Sequence, residues 1–367
     1  MDRMFTSLRR MLGLDRSTAL SSPWADRAAL QAATFAHLTG VELDTLPPTR
    51  ADAMTVAAVA KGRNLITASI AKCPMVAMRG TEVMADAPTI LTQPELGRPR
   101  FQTITWTVDA MIFYGRAWWH VTDWTDARPA RIQWVPEWEA TPTSDGASLT
   151  QAFGRPVNPA HIIRIDAHHE GILTYAGPRI RSAMRLDRAA LTASTNPVPS
   201  VELHQVSGTP LTAEEGRKLT ADYADQRRTH GVSYTNQSIE TRTHGAQPEN
   251  LLVDGRKAAA LDIARVLGLP AWTVDASVEG TSLTYSNVPS RNRELIDYGL
   301  DPYMSAIADR LSMDDILPRG QWTRFNTDAL LRDDFNTRMT GYKTALETGI
   351  YTLDQLRDRE RGIPLEN

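Results

Sequence analysis

The sequence predicts a mixed α+β chain with an α/β body, a core-poor middle segment and a helical tail. Three observations lead there. Between residues 51 and 175 a helical apolar period gives way to short runs rich in aromatic and β-branched residues, separated by Gly, Pro and Asp. Between about 198 and 250 large apolar residues become scarce. From residue 326 onward apolar residues return at helical spacing.

A chain of 367 residues is long enough for two or three domains, or for one elongated subunit. It can bury roughly three quarters of its unfolded surface without cross-links. The single cysteine, Cys73, excludes an intramolecular disulfide and a cysteine-based zinc site. The N-terminal MDRMFTSLRRMLGL is charged throughout and lacks the apolar core of a signal peptide. No apolar stretch approaches the ~20 residues of a membrane span, so the expectation is a soluble protein made inside a cell, with no membrane partner. The 40 basic and 43 acidic residues give a net charge of −3, which argues against a surface that grips nucleic acid everywhere.

Each element has its local reason. Residues 1 to 50 read as poorly organised, with a short basic helix, TSLRRMLGL, and a Pro-Pro brake before the first firm element. From Ala51 to Lys72, Val56, Val59, Ala60, Ile66 and Ile70 fall at helical spacing, and Pro74 stops the run. The strand candidates MVAMR, RAWWHVTDW, RIQWVPEW and HIIRID follow, with a helix at about 100 to 113 before the second. Their tryptophans read as buried sheet aromatics rather than a stacking platform. RIRSAMRLDRAALTAS forms a helix ended by Asn196-Pro197, with Arg181, Arg185 and Arg188 on one stripe. The middle segment offers a strand (VELHQV), a polar helix (TAEEGRKLTADYADQRRTH) and two thin strand candidates (VSYTNQ and IETRTHG). In DGRKAAALDIARVLGLP, Ala260, Ile263, Ala264 and Leu267 share a face that Gly268 and Pro270 terminate. A small-residue stretch, GTSLTYSN, then precedes a helix from about Ser290 to Leu311. Pro302 removes the hydrogen bond back to Tyr298, so a kink is expected there. In the tail Leu331, Phe335, Met339, Tyr342 and Leu346 form one stripe, Gly349 stops it, and Thr352-x-x-Gln355 is a capping box.

Catalytic signatures are missing from the sequence: it contains no Walker-type phosphate loop, nucleophile elbow or H-E-x-x-H. In DAHHEG only Asp166, His168 and Glu170 can converge on one face of a strand, and a polar strand-to-helix turn accounts for them more simply than a metal site. The Arg181/Arg185/Arg188 stripe reads first as a solvated helix face, with contact to DNA as the alternative. The expectation is a non-enzyme with no cofactor and no metal.

The second half nevertheless carries a resemblance. ALDIARVLGLPAWTVD, then TYSN, then a helix reaching GLDPYMSAIADRL, then FNTDALLRDDFNTRMTGYKTALETGIYTLDQLRDRERGIP resembles the portal proteins of long-tailed bacteriophages. The matching positions are Ile263 to Pro270, Thr284 to Asn287, Leu300 to Pro302, Leu331 to Arg338 and Gly349 to Arg357. Five weak motifs in the right order and spacing are together specific, and the resemblance covers about residues 51 to 364. The N-terminal half is similar more loosely, with Arg116 where the family usually has Asn and Pro289 where it often has Glu.

The resemblance implies a portal-type subunit: an α/β wing, a two-helix stem, a small α/β clip, a kinked long helix and a helical C-terminal crown, assembling into a ring. The implied map has an N-terminal arm at 1–50, partly disordered, and the wing at 51–175 and 286–325. Stem helices fall at 176–197 and 251–270, the clip at 198–250, a tunnel loop at 271–285 and the crown at 326–367. Within that loop Val278, Glu279, Gly280, Thr281, Ser282 and Leu283 would line a DNA channel, with Leu283 or Val278 as the narrowest apolar collar. Arg181, Arg185 and Arg188 would be the DNA-facing stripe of the stem, and Pro302 the helix kink. Implied partners are further copies of the chain, usually twelve, the terminase large subunit, a head-tail adaptor, major capsid and scaffolding proteins, and double-stranded DNA without sequence specificity. The implied location is one vertex of the virion capsid, after assembly in the host cytoplasm. Two other readings stay open: a capsid-side adaptor or minor head protein without a channel, and a metal-dependent hydrolase centred on Asp166 and His168.

Overall fold

The computed structural model describes residues 47–195, 200–230, 238–244, 253–274, 288–328, 330 and 335–360. Two compact units emerge, one of residues 1–184 with 257–367 and a smaller one of 185–256.

The larger unit is built on two helices crossed by an ion pair. Helix α1 (Arg50–Thr55) opens with a full capping box, Thr49 and Asp52 each bonding the other's backbone N–H. Val56 is extended (ψ 114°), so the run expected from 51 to 72 is two helices, and α2 spans Ala57–Lys72. Its buried face packs against α4 (Arg100–Tyr114), which follows the short α3 (Thr89–Thr92). Between them sits Asp109, 2% exposed, whose carboxylate accepts from Arg50 at 2.9 and 3.0 Å and also from Arg63. A buried carboxylate needs such partners, because leaving it unpaired in a dry interior costs several kcal/mol. Arg100, at the start of α4, donates to the carbonyls of Ala71 and Cys73, both at 2.9 Å. These are orphan acceptors at the end of α2, so one guanidinium caps a neighbouring helix.

Two small antiparallel sheets pack around this helical core, and a third packs against the second sheet in a cluster of its own. In the first, β1 (Met75–Arg79) pairs with β2 (Glu82–Val83) and with β11 (Gln321–Phe325), nearly 250 residues away in sequence. In the second, β3 (Arg116–Thr125) lies between β4 (Arg128–Val135) and β8 (Ile162–Asp166). The third joins β5 (Ala140–Pro142), β6 (Leu149–Ala152) and β7 (Arg155–Pro156). Of the sheet tryptophans Trp118, Trp119 and Trp134 are buried in the core, whereas Trp124 on β3 and Trp322 on β11 are exposed. Arg116 bonds Glu137, and Trp118 donates its indole N–H to the same carboxylate at 2.8 Å. The departure from the usual Asn is thus absorbed by a local acid.

After β8 come the single turn α5 (Ile172–Tyr175) and the long α6 (Gly177–Thr195), which ends before Asn196-Pro197. The smaller unit holds a two-stranded ribbon, β9 (Ser200–Gln205) on β10 (Ile239–His244), and the polar helix α7 (Ala213–His230). Thr212 and Glu215 cap that helix reciprocally. The candidate strand VSYTNQ and the basic helix TSLRRMLGL lie outside the described residues.

Back in the larger unit, α8 (Val253–Val266) runs out of the smaller one. The helix expected from about 290 to 311 is a continuous helical run in three parts: α9 (Val288–Glu294), a π-turn (Leu295–Leu300) and α10 (Asp301–Leu311). Pro302 sits in the first turn of α10, and Asp301 donates five residues back to Ile296. A wider turn just before a proline is one way to place a residue that has no N–H to give. The tail helices α11 (Phe335–Glu347) and α12 (Leu353–Glu360) are tied by Glu360, which accepts from Arg338 and Tyr342 at 3.0 and 3.1 Å. Gly349 takes φ 71° and Thr352 and Gln355 form their capping box. No described helix is long and apolar enough to cross a membrane.

Asp109→Asn is expected to lower stability by about 3 kcal/mol, because two guanidinium groups lose the charge that holds them in the interior. The shift of the urea midpoint measures it, and a shift under a few tenths of a molar would show that the cluster is not buried as described.

Candidate functional site: the base of the 275–287 segment

The stretch expected to form a channel loop, residues 271–285, begins inside the described structure and leaves it at residue 275. Val278, Glu279, Gly280, Thr281, Ser282 and Leu283 all lie outside the described residues. What the structure supplies is the base from which that segment departs and to which it returns.

That base starts at the end of α8. Gly268 takes φ 65°, and Leu269 donates to Ala264 at 2.9 Å, which closes the helix with a left-handed cap. Pro270 blocks continuation, and Ala271–Val274 form one 3-10 turn whose Thr273 N–H and hydroxyl both reach the Pro270 carbonyl. Thr273 and Val274 are buried, so the chain enters residue 275 from an immobilised point.

Two glycines let neighbouring backbones reach this turn. A Cβ on Gly62, in α2, would stand 2.4 Å from Leu267 Cδ1 and 3.0 Å from Leu269 Cδ1. A Cβ on Gly299, in the π-turn, would stand 2.9 Å from Leu269 Cδ2. Leu267 and Leu269 are therefore wedged between a helix and a π-turn that present bare backbone to them. The π-turn belongs to the helical run that receives the chain at Val288, so the entry to residue 275 packs against a later part of that same run.

A second joint supports the first. Gly115 (φ 74°), which caps α4, and Gly171 (φ 92°), before α5, lie against each other's backbone. A Cβ on Gly115 would be 2.5 Å from the carbonyl carbon of Glu170, and one on Gly171 would be 2.5 Å from the Phe113 oxygen. Next to this contact, Gly171 N–H donates to His169 Nδ1 at 2.9 Å, and His169 Nε2 lies 2.8 Å from Tyr303 Oη. Tyr175 donates its hydroxyl to the Val266 carbonyl at 2.6 Å, satisfying an orphan acceptor at the end of α8. Burial pushes the His169 imidazole down to about 4 and the Tyr303 phenol well up.

The other expected residues are placed as follows. Asp166 bonds Arg164, and His168 lies edge-on to His169 and Tyr303, so Asp166, His168 and Glu170 are not gathered on one centre. Among the described residues no group of three or more His, Cys, Asp or Glu side chains is arranged to hold a metal. On α6, Arg181 is half-buried while Arg185 and Arg188 are exposed, and Ile180, Ala183 and Ala190 fill the buried face. Near its start Arg179 pairs with Asp262 at 2.8 Å. Within the smaller unit Asp187 on α6 pairs with Arg256 on α8 at 2.8 Å. Sequence reasoning missed Gly62, Gly299, His169 and Tyr303 as supports. A helical glycine in an apolar stripe was the available signal for the first.

Gly171→Ala is expected to be among the most damaging of the glycine changes, costing about 3 kcal/mol or more, because the clash is with backbone and φ is positive. Gly62→Ala should cost under about 1.5 kcal/mol. The helix-propensity gain of about 1 kcal/mol offsets part of the shift forced on Leu267. Thermal melts of both variants check the order, and a larger loss for Gly62→Ala would reverse it.

Comparison with known proteins agrees with this architecture. The family model described as phage portal protein matches residues 57–360. The probable portal protein of Streptomyces phage phiC31 is 28% identical over 107 residues, which is 28% of this chain and 23% of that protein. The match thus spans under a quarter of the relative's length. Among solved structures, an HK97 family phage portal protein from Corynebacterium diphtheriae superposes with a TM-score of 0.65 at 29% identity, covering 78% of this chain and 97% of that one. A chain of the virion of a native gene transfer agent particle gives 0.57 at 14% identity over 91% and 99%, which shows a shared fold. From the start of α2 to the end of α12, residues 57–360, the chain belongs to the phage portal protein family.

Proposed function

We propose that the chain is the subunit of a ring, most simply a dodecamer, set at one capsid vertex as the channel for genome packaging and ejection. The observation that carries this reading is the clamped base of the 275–287 segment, found in a chain of the portal family. A surface connector needs no such support. A segment that must hold position against moving DNA does, because its tip can be no stiffer than its base. Structures described as the neck of gene transfer agent particles, computed with C6 and C12 symmetry, share the fold at TM-scores of 0.57 and 0.55, which favours a ring.

In this reading residues 51–175 and 286–325 form the wing, 176–197 and 251–270 the stem, 198–250 the clip, and 326–367 the crown. Val278 to Leu283 line the channel, where small polar side chains avoid adhesion to DNA and Leu283 or Val278 narrows it. Arg185 and Arg188, exposed on α6, and Arg181 beside them offer weak phosphate contact without sequence preference. A net charge of −3 suits this task, since many strong phosphate contacts around a ring would multiply into an affinity that halts sliding. The clip would dock the terminase large subunit, an ATPase that supplies the motive force, and later a head-tail adaptor. Major capsid and scaffolding proteins would surround the wing. The product would reside in the virion, after assembly in the host cytoplasm, and would do no chemistry of its own.

Native mass measurement with negative-stain microscopy tests the ring. Closed particles with a central hole about as wide as duplex DNA are expected, and a compact small oligomer without a hole would favour the adaptor reading. Leu283→Asp should leave assembly intact and shorten or abolish the packaged genome, whereas normal genome length would remove the segment from the channel. Replacing Arg181, Arg185 and Arg188 with Gln should weaken DNA binding and flatten its salt dependence by about one phosphate contact or more. An unchanged salt slope would leave the three arginines as a solvated helix face.

A further inference from the structure

Two facts about the joint beneath the 275–287 segment remain unused by the channel reading. First, the imidazole of His169 is bonded at both nitrogens by groups that permit one protonation state. Gly171 N–H points at Nδ1, so Nδ1 must be the bare acceptor and the ring proton must sit on Nε2, facing Tyr303 Oη. A proton added to the ring would go to Nδ1, where it would meet a donor. Second, both tyrosine neighbours of that ring lead to the turn at Leu267–Leu269. Tyr175, whose ring is 5.6 Å from that of His169, holds the Val266 carbonyl. Tyr303 stands one helical turn beyond Gly299, which packs on Leu269.

We infer that His169 is a positioning residue for the base of the 275–287 segment, and that protonating its ring releases the Val266–Val274 turn. The ring is locked between the Gly115–Gly171 backbone contact on one side and Tyr303, 1% exposed, on the other, so it cannot rotate to accommodate a second N–H. Opening the joint is the remaining response. The titratable groups facing it are His168 and Glu170 on its own turn, Tyr175 on α5 and Tyr303 on α10. Both phenols are raised above their ordinary range and stay neutral in acid, which leaves His168 as the other ring that can gain a proton there.

The sign follows from linkage. The folded joint holds His169 at about 4 against 6.5 for a free ring, so the opened form binds protons more readily. Closure is at full strength above 6.5, weakens as the pH falls through 6 and 5, and has lost this contribution below about 4. The inference concerns a local opening and does not require the ring assembly. Its failure is therefore separable from failure of the channel reading.

Hydrogen exchange of the full-length chain tests it at the Leu267, Leu269 and Thr273 amides, each hydrogen-bonded in the closed turn. After correction for intrinsic rates, exchange there should rise roughly tenfold between pH 6 and pH 4, below the roughly fortyfold that full coupling would allow. His169→Gln should abolish this pH dependence and His168→Gln should keep it. Tyr175→Phe, which removes one hydroxyl and keeps the ring, should leave the His169 proton resonances titrating as before while the Leu267 amide, beside the Val266 carbonyl that hydroxyl held, follows the pH less steeply. Acid sensitivity that persists in His169→Gln, that vanishes in His168→Gln, or that passes unchanged through Tyr175→Phe would overturn the inference.

Discussion

The structure depends on close backbone approach at positions where a side chain has been dispensed with. Leu267 and Leu269 fill the gap between α2 and the π-turn only because residues 62 and 299 are glycine, and the α4 cap meets the turn before α5 only because 115 and 171 are. Packing of this kind is stiff, since interiors near crystal density have no free volume in which a turn can shift. The cluster therefore fixes three things at once: the end of α8, the entry to residue 275 and the π-turn of the helical run that receives the chain again.

Around that cluster the larger unit holds buried charged groups in close networks. Asp109 draws two arginines inward, and Glu95, buried and raised by that burial, accepts from Arg98, Thr103 and the Trp134 backbone. Arg98 in turn lies 3.9 Å from the centre of the Trp106 ring. Buried charges of this sort contribute modestly to net stability but are costly to break, so they favour one arrangement of the helices over its alternatives. A unit that carries load benefits from that selectivity more than from a larger core.

The remaining parts are thin by comparison. Among the described residues the β9–β10 sheet has two strands, below the three that an independent sheet needs, and α7 is polar. No residue of α11 is buried, and Phe335 and Ile350 are 62% and 69% exposed. Elements this poor in buried apolar contact gain most of their stability from what they pack against. In a ring the neighbouring copy is the natural source, which is why the channel reading and the sparseness of these elements belong together.

Much of the body was legible because its signals are local. Helix periodicity, Pro74 as a stop, the left-handed cap at Gly268 and the capping box at Thr352 each depend on a few adjacent residues, and the structure has them where the sequence placed them. The break at Val56 was not legible, because a single extended residue leaves the apolar spacing around it intact. Nor was the π-turn, whose cause lies partly in Leu269, thirty residues away, and partly in Pro302. The tunnel-loop residues Val278 to Leu283 came from motif order alone, and the described structure reaches only their base. The sequence by itself determined the main helices, the strands β1, β3, β4, β8, β9 and β10, and the family to which their order belongs. Only the tertiary structure decided that His169, Tyr303, Tyr175, Gly62 and Gly299 meet beneath one turn. These residues share no spacing along the chain, and their contacts exist only after long-range packing has brought five separate elements together.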